Sequence, residues 1–377
     1  MKSRRFARRV SLQITGAVIL AYNPLAEAQT QRPAKIVVGD AQTCGTCRLQ
    51  RTSIVAVRDT EHLLLPNAAS LLVDGRGQVY AQDMQTKQFL VFDPRGKWIG
   101  RVGGVGSGPG EFKSAISAKI DQFDSLWVSA PGQRRVSIFA PSSRAYVRDV
   151  LVEAQIGPNS GDWLLLDRGQ AIVSLPYAPK PEDRLIQLGA DGRVVKKLGP
   201  EAEVRVRSAT LAPARDGKHF WRVRVTSSAY VIEKWTNAGT LLQVLERAAK
   251  WWAQPFGDDP PTRRPGGGDI HVESVREDTS GKLWVMMRLP RQTYWENRPR
   301  AQTVKERSKS EMQTLPRVPA FYRLLDVLDA STGKLVYSDS AQASLYAVVT
   351  PDIILCGSSE DDNGFPIWSL CRVTLVK

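Results

Sequence analysis

Residues 71–103 read LLVDGRGQVYAQDMQTKQFLVFDPRGKWIGRVG, and they contain the unit from which the whole chain is built. Short runs rich in Val, Leu, Phe and Tyr alternate with the turn sequences DGRG at 74–77 and DPRG at 93–96. Such runs, bounded by turns that contain Asp, Gly and Pro, are typical of antiparallel strands joined by hairpins. The stretch therefore predicts one small antiparallel sheet.

The same unit recurs along the chain, which is the signature of a repeat architecture. Further copies begin at residues 118, 163, 209, 272 and 345. Four antiparallel strands per unit, repeated six times, predict an all-β fold, the six-bladed β-propeller. The sixth copy ends after its third strand, and RTSIVAVRD at 51–59 belongs to no copy. We predict that this N-terminal strand completes blade six and closes the ring, which removes exposed sheet edges.

Two motifs in the first units resemble a known family. They are GSGPGEF at 106–112 and, after an intervening strand, RVSIF at 135–139; RLIQL at 184–188 is a weaker echo. Together they resemble the NHL repeat, within the wider group of six-bladed, TolB-like propellers. The resemblance implies the propeller fold and a domain that more often binds than catalyses.

The glycine-rich segment GGVGSGPGEF at 103–112 has the composition of a phosphate-binding loop but not its spacing. Pro109 stands where a P-loop has its lysine and where a dinucleotide fingerprint has its third glycine. In NHL-like repeats such a segment links the outer strand of one blade to the inner strand of the next. We therefore predict a structural link that is anchored by burial of Phe112 between the blades.

The N-terminus predicts export. Residues 1–28 combine a basic start, the short apolar run VSLQITGAVILAY and an A-x-A site at 26–28, as in a secretory signal peptide. The alternative is a free basic tail. Loss of these residues lowers the formal net charge from +14 to +10. We expect a periplasmic or extracellular, monomeric protein without a nucleic-acid partner, and no other segment reaches the roughly 20 apolar residues of a membrane span.

The predicted organisation is a signal peptide at 1–28, an N-terminal segment with a C-x-x-C motif at 29–50, and a propeller at 51–377 with an insertion at 288–320 in blade five. The chain has four cysteines: Cys44, Cys47, Cys356 and Cys371. Disulfides form outside the cytosol, and four cysteines allow three pairings. We predict a local structural disulfide between Cys44 and Cys47, with loose thiols or a redox role as the alternatives.

Loop lengths divide the propeller into two faces. Turns between the first and second strands and between the third and fourth are short and uniform, whereas the other loops vary widely, so we place function on the long-loop face near the central channel. The candidate ligand-binding residues there are Asn67, Arg134, Arg207, His271, Arg288, Tyr294 and Trp295. The basic insertion at 288–320 is a lid for an anionic partner, a solvated loop, or a segment neutralised by the acidic residues at 360–362.

The sequence offers few candidate catalytic residues, and we assign none. His62, His271 and Glu273 are candidate metal ligands. The expected function is an exported binding or scaffold module that recognises a protein, peptide or anionic glycan without a cofactor. The alternative is an enzyme, either a Ca²⁺-dependent hydrolase of the lactonase or esterase kind or a metal-dependent lyase, with its site at the central channel.

Overall fold

The computed structural model describes residues 33–58, 68–198, 209–247, 270–290, 321–341 and 347–377, apart from short gaps inside these ranges. Within them, 25 strands form six sheets, and neighbouring strands are antiparallel except for one parallel pair, β1 (Lys35–Val38) with β18 (Leu241–Arg247). The chain is therefore an all-β propeller, as the repeats predict.

Blades one to three run in chain order from the inner to the outer strand. Blade one contains β3 (Ala68–Val73), β4 (Val79–Asp83), β5 (Gln88–Phe92) and β6 (Trp98–Gly103). Blade two contains β7 (Ser117–Ile120), β8 (Leu126–Ala130), β9 (Arg135–Phe139) and β10 (Tyr146–Leu151). Blade three contains β11 (Asp162–Leu165), β12 (Ala171–Ser174), β13 (Leu185–Leu188) and β14 (Val194–Lys197).

Blades four to six include the two N-terminal strands. Blade four contains β15 (Ala209–Pro213), β16 (His219–Val225), β17 (Tyr230–Thr236) and β18, with β1 as a fifth strand at its outer edge. Blade five contains β19 (His271–Glu277), β20 (Lys282–Pro290), β21 (Phe321–Asp329) and β22 (Leu335–Ala341). Blade six contains β23 (Ala347–Thr350), β24 (Ile353–Glu360), β25 (Pro366–Val376) and the N-terminal β2 (Arg48–Arg58).

Strand β2 closes the ring as predicted. It pairs antiparallel with the last strand, β25, from Arg48 opposite Val376 to Arg58 opposite Ile367. Its Val57 is buried with Phe92 of blade one and Leu370 of blade six. The N-terminal strand β2 and the last strand are therefore joined by one strand pair with a register shift between Ser53 and Val55, and the first blade packs on the last.

The core consists of six hydrophobic clusters, one between each pair of neighbouring blades. Alternate side chains of a strand point to opposite faces of its sheet. In β4, Val79 and Ala81 therefore pack towards blade six, whereas Tyr80 between them packs towards blade two. Burial on both faces explains why the strands read as nearly continuous apolar runs.

The glycine-rich link between blades one and two is a packed element. Phe112 has no exposed surface and packs on Phe139, with ring centroids 6.3 Å apart. Gly103 has a positive φ of 87°, and a Cβ there would lie 2.8 Å from the Phe112 ring. Arg135 Nη2 donates to the carbonyl oxygens of Gly108 and Glu111 at 2.6 and 2.7 Å. The segment therefore has the predicted structural role.

Residues 35–47 form an N-terminal strap outside blades four and five, which the sequence did not reveal. Strand β1 adds to β18, and the N–H groups of Thr43 and Cys44 then donate to carbonyl oxygens of β22 at 2.9 and 3.1 Å. The predicted disulfide joins Cys44 to Cys47 immediately before β2 begins. Cys371 is also disulfide-bonded, and the side chain of Cys356 lies outside the described residues.

Candidate functional site

The turns of the short-loop face, here called the turn face, are held by their own aspartates. Asp121 Oδ1 accepts the N–H groups of residues 123 and 125 at 2.9 and 2.8 Å, and its Oδ2 accepts Trp127 Nε1 at 2.8 Å. Asp278 makes the same contacts to residues 280 and 282 and to Trp284. Burial raises the pKa of Asp278, but these hydrogen bonds outweigh it and hold the pKa below its ordinary value. These carboxylates therefore serve the turn structure.

Polar side chains connect the inner strands of blades two to five. Lys119 of blade two lies 3.0 Å from Asp162 of blade three, with side chains 30% and 21% exposed. The second carboxylate oxygen of Asp162 accepts the N–H of Leu211 in blade four at 2.8 Å. Thr210 Oγ1 then donates to the carbonyl of Val272 in blade five at 2.9 Å. The inner ring thus presents fixed charges of both signs within reach of solvent.

Blade five contributes a second group of charges, at the long-loop face. His271 is the exposed first residue of β19, and it lies opposite Arg288 of β20. Glu273 accepts two hydrogen bonds from Arg323, at 2.6 Å from Nε and 3.2 Å from Nη2, and Arg288 Nε lies 4.0 Å from the same carboxylate. Bidentate arginine–carboxylate pairs are both strong and geometrically specific. Glu273 is therefore fixed between two guanidinium groups.

This geometry bears on the predicted metal ligands. A carboxylate held by Arg323 and Arg288 is surrounded by positive charge, which opposes the approach of a divalent cation. Within the described residues, no group of three or more His, Cys, Asp or Glu side chains is arranged to hold a metal ion. His62 lies outside that part of the chain. A metal role for His62, His271 or Glu273 remains a prediction.

The structure brings together only some of the predicted ligand-binding residues. His271 and Arg288 are neighbours, whereas Arg134 lies on blade two, where its Nη2 donates to the carbonyl of Glu153 at 3.4 Å. Asn67, Arg207, Tyr294 and Trp295 lie outside the described residues, as do residues 291–320 of the insertion.

Arg323 was missed by the sequence reasoning, although it lies directly opposite Arg288 in the strand pair. The available signal was a charged residue two positions into the apolar run FYRLLDVLD, immediately after the insertion. A charged residue in a strand that is otherwise mostly apolar implies a paired partner.

Comparison with known proteins agrees with the architecture. The family model DUF5128, described as a 6-bladed beta-propeller, matches residues 36–136, which run from β1 into β9. No curated protein matches the sequence. No helix in the described part of the chain is long and apolar enough to cross a membrane.

Solved structures match over most of the chain at low identity. A Bacteroides fragilis protein whose name describes it as exported is 10% identical, with a TM-score of 0.58, covering 91% of this chain and 100% of its own. A Bacteroides vulgatus member of the DUF4221 family is 10% identical, with a TM-score of 0.56, covering 88% and 99%. At this identity the similarity establishes the fold alone.

Proposed function

We propose that the chain is an exported binding module of the NHL-repeat, TolB-like type that recognises anionic groups of a protein, peptide or glycan on its long-loop face. The observation that carries this proposal is the set of charged side chains that three inner strands bring to one solvent-accessible ring. Lys119, Asp162 and Glu273 come from blades two, three and five, and each lies in an ion pair.

Ion pairing favours binding over catalysis at this ring. A general base needs a carboxylate with access to the proton that it removes. Asp162 is held by Lys119 and a backbone N–H, and Glu273 is held by Arg323. Such carboxylates orient neighbouring cations, and fixed guanidinium and ammonium groups suit the recognition of carboxylate, sulfate or phosphate groups. The basic composition of the chain, with a formal net charge of +10 after loss of residues 1–28, favours the same class of partner.

The NHL subtype is supported by a contact between its two sequence motifs. Arg135 begins RVSIF, and its guanidinium binds the carbonyl groups of Gly108 and Glu111 in GSGPGEF. The motifs therefore depend on each other physically, because one guanidinium bridges two carbonyl groups of the glycine-rich turn.

Calorimetric titration of residues 29–377 tests the proposal with three probes: a heparin octasaccharide, a Glu-rich peptide and neutral dextran. We expect saturable binding of at least one anionic probe and none of dextran. Arg288→Gln on the long-loop face should weaken that binding by about fivefold or more, roughly 1 kcal/mol. Arg193→Gln on the turn face removes the same charge from a side chain that is 78% exposed and should leave binding unchanged. Absence of binding, or equal effects of both variants, contradicts the proposal.

The enzyme alternative gives a different result in a separate measurement. A Ca²⁺-dependent hydrolase or a metal-dependent lyase should purify with bound metal, and its melting temperature should fall in EDTA and recover with the added ion. We expect the melting temperature of the binding module to be the same in EDTA and in Ca²⁺.

A further inference from the structure

The interface between blades three and four contains a buried pair of arginines. Arg222 and Arg224 are two positions apart on β16, so both side chains point towards blade three. Arg222 is fully buried, and its Nε donates to Ser174 Oγ at the end of β12, 3.3 Å away. Arg224 keeps 12% of its side-chain surface exposed. We call these residues, together with Glu233 and Trp235, the blade 3–4 cluster.

A single carboxylate serves three donors in the blade 3–4 cluster. Glu233 accepts hydrogen bonds from Arg224 Nε at 2.8 Å, Trp235 Nε1 at 3.1 Å and Arg222 Nη1 at 3.4 Å. Burial raises the pKa of Glu233, but the two guanidinium groups outweigh it and hold the pKa below its ordinary value. Glu233 is therefore ionised, and it pairs with both guanidinium groups.

Arg224 has donor capacity that the described residues do not use. A guanidinium offers five N–H groups. Nε donates to Glu233, whereas Nη1 is buried and has no hydrogen-bond partner in the described part of the chain. Buried polar atoms in folded proteins are nearly always hydrogen-bonded. The unused N–H groups of Arg224 Nη1 therefore favour an added hydrogen-bond acceptor.

The blade 3–4 cluster lies at the long-loop end of its interface. Arg224 is the last residue but one of β16, and Ser174 is the last residue of β12. Both second strands run from the turn face to the long-loop face. The exposed part of the Arg224 side chain therefore lies on the face proposed for ligand binding.

We infer that Arg224, supported by Arg222, binds an oxyanion group of the ligand, either sulfate, phosphate or carboxylate, at the long-loop end of the interface between blades three and four. This inference rests on the proposed function, because it assigns one anion-binding point to the same face. The guanidinium of Arg224 donates to the anion, and Glu233 keeps that guanidinium oriented through Nε. The bound anion supplies the acceptor that Arg224 Nη1 lacks among the described residues.

Small anions test the inference without a macromolecular partner. Residues 29–377 are titrated calorimetrically with sodium sulfate, phosphate and acetate at constant ionic strength, and the three arms distinguish the oxyanion classes. We expect saturable binding of at least one anion. Arg224→Gln should raise its dissociation constant about tenfold or more, and Arg224→Lys, which keeps the charge but loses the planar fork, by less. Arg148→Gln, at an exposed arginine of outer strand β10, is the charge-matched control and should change it less than about twofold.

Two results overturn the inference. One is the absence of saturable binding of all three anions to the unchanged chain. The other is equal binding of the anion by Arg224→Gln and by the unchanged chain. If the Gln variant does not fold, equal binding by Arg224→Lys and the unchanged chain overturns the inference in its place. Either result leaves the proposed function standing if the heparin octasaccharide or the Glu-rich peptide still binds. Small-anion binding without binding of either larger probe instead supports the subsite and contradicts the proposed function.

Discussion

Blade four separates two buried charged clusters of opposite composition. Towards blade three, two guanidinium groups share the one carboxylate of Glu233. Towards blade five, two carboxylates share one guanidinium: Arg247 donates to Asp326 at 3.2 Å and to Asp40 at 2.5 Å. The second set, completed by Tyr230 and Ser338, is called the blade 4–5 cluster. The described ion pairs of the two clusters thus have opposite ratios of guanidinium to carboxylate groups.

The difference indicates different roles. In the blade 4–5 cluster, Asp326 is fully buried and accepts from Tyr230, Arg247 and Ser338, so its oxygens are occupied. Asp40 belongs to the N-terminal strap, so this cluster fastens the strap to blades four and five. The blade 3–4 cluster instead leaves a guanidinium N–H of Arg224 without a partner in the described chain. We infer a structural role for the blade 4–5 cluster and a ligand-binding role for the blade 3–4 cluster.

Removal of the central carboxylate of the blade 4–5 cluster should have the largest effect. Asp326→Asn puts a neutral amide beside the buried donors Tyr230 and Arg247 and leaves Arg247 paired, among the described residues, only with the partly exposed carboxylate of Asp40. Breaking a buried ion pair typically costs about 3–5 kcal/mol. We expect a loss of this size in the free energy of unfolding, measured by urea denaturation of residues 29–377. Asp191→Asn, at an exposed turn residue, is the control and should change stability by less than about 0.5 kcal/mol. A loss below about 1 kcal/mol for Asp326→Asn contradicts the structural role.

Neutralisation of Glu233 should weaken the blade 3–4 cluster in a way that depends on pH. Glu233→Gln leaves two buried guanidinium groups without their carboxylate and should cost roughly 3 kcal/mol at pH 7. Because the folded-state pKa of Glu233 is lowered, its stabilisation is present above the unfolded pKa of about 4.3 and is lost as the pH falls through the folded-state pKa. Urea denaturation at pH 7, 4 and 3 should show the two proteins converging in acid. A constant difference over this range contradicts the assignment.

Alkali should instead weaken the blade 4–5 cluster. Burial, followed by the charge of Asp326, raises the pKa of Tyr230 well above its ordinary value. Above about pH 10 the unfolded chain loses this proton while the folded chain keeps it, so stability falls with pH by up to about 1.4 kcal/mol per unit. Tyr230→Phe removes that contribution, and its denaturation midpoints between pH 9 and 11 should decline less steeply than those of the unchanged protein. Parallel declines mean that Tyr230 ionises in the folded state much as it does in the unfolded chain.

Replacement of Arg224 should have the smallest effect on stability. Arg224→Gln loses one hydrogen bond to Glu233, but that carboxylate still accepts from Arg222 and Trp235, so we expect a change of about 1 kcal/mol or less in the free energy of unfolding. Arg247→Gln on the other side of the blade removes the only guanidinium of its cluster and should cost about 3 kcal/mol or more. Similar losses for both variants remove the distinction between the clusters.

The fold could be predicted because its determinants are local. Each strand is a short apolar run and each turn begins with Asp or a similar residue, so the first copy at 71–103 falls within the observed blade of Ala68 to Gly103. Ring closure could be predicted from the number of strands. The sixth copy of the repeat lacks its fourth strand, and the strand at 51–59 belongs to no copy. The N-terminal strap could not be predicted, because β1 is a four-residue strand that pairs with residues more than two hundred positions later.

The candidate site could be predicted only in outline. Loop lengths identified the face, and position at a strand start identified His271. The charged pairs were missed because alternating Arg222 and Arg224 have the same pattern as a solvent-facing side of a strand. Only the packing of blade three onto that side shows that these arginines are buried.

Amide hydrogen exchange of residues 29–377, with and without the anionic probe that binds, tests most directly whether the long-loop face is the binding surface. We predict slower exchange at the long-loop ends of the blades, including residues 222–225 and 271–273, and unchanged exchange in the turns at 74–77 and 93–96. Protection confined to those turns, or to the outer strand of blade two at 146–151, contradicts the account.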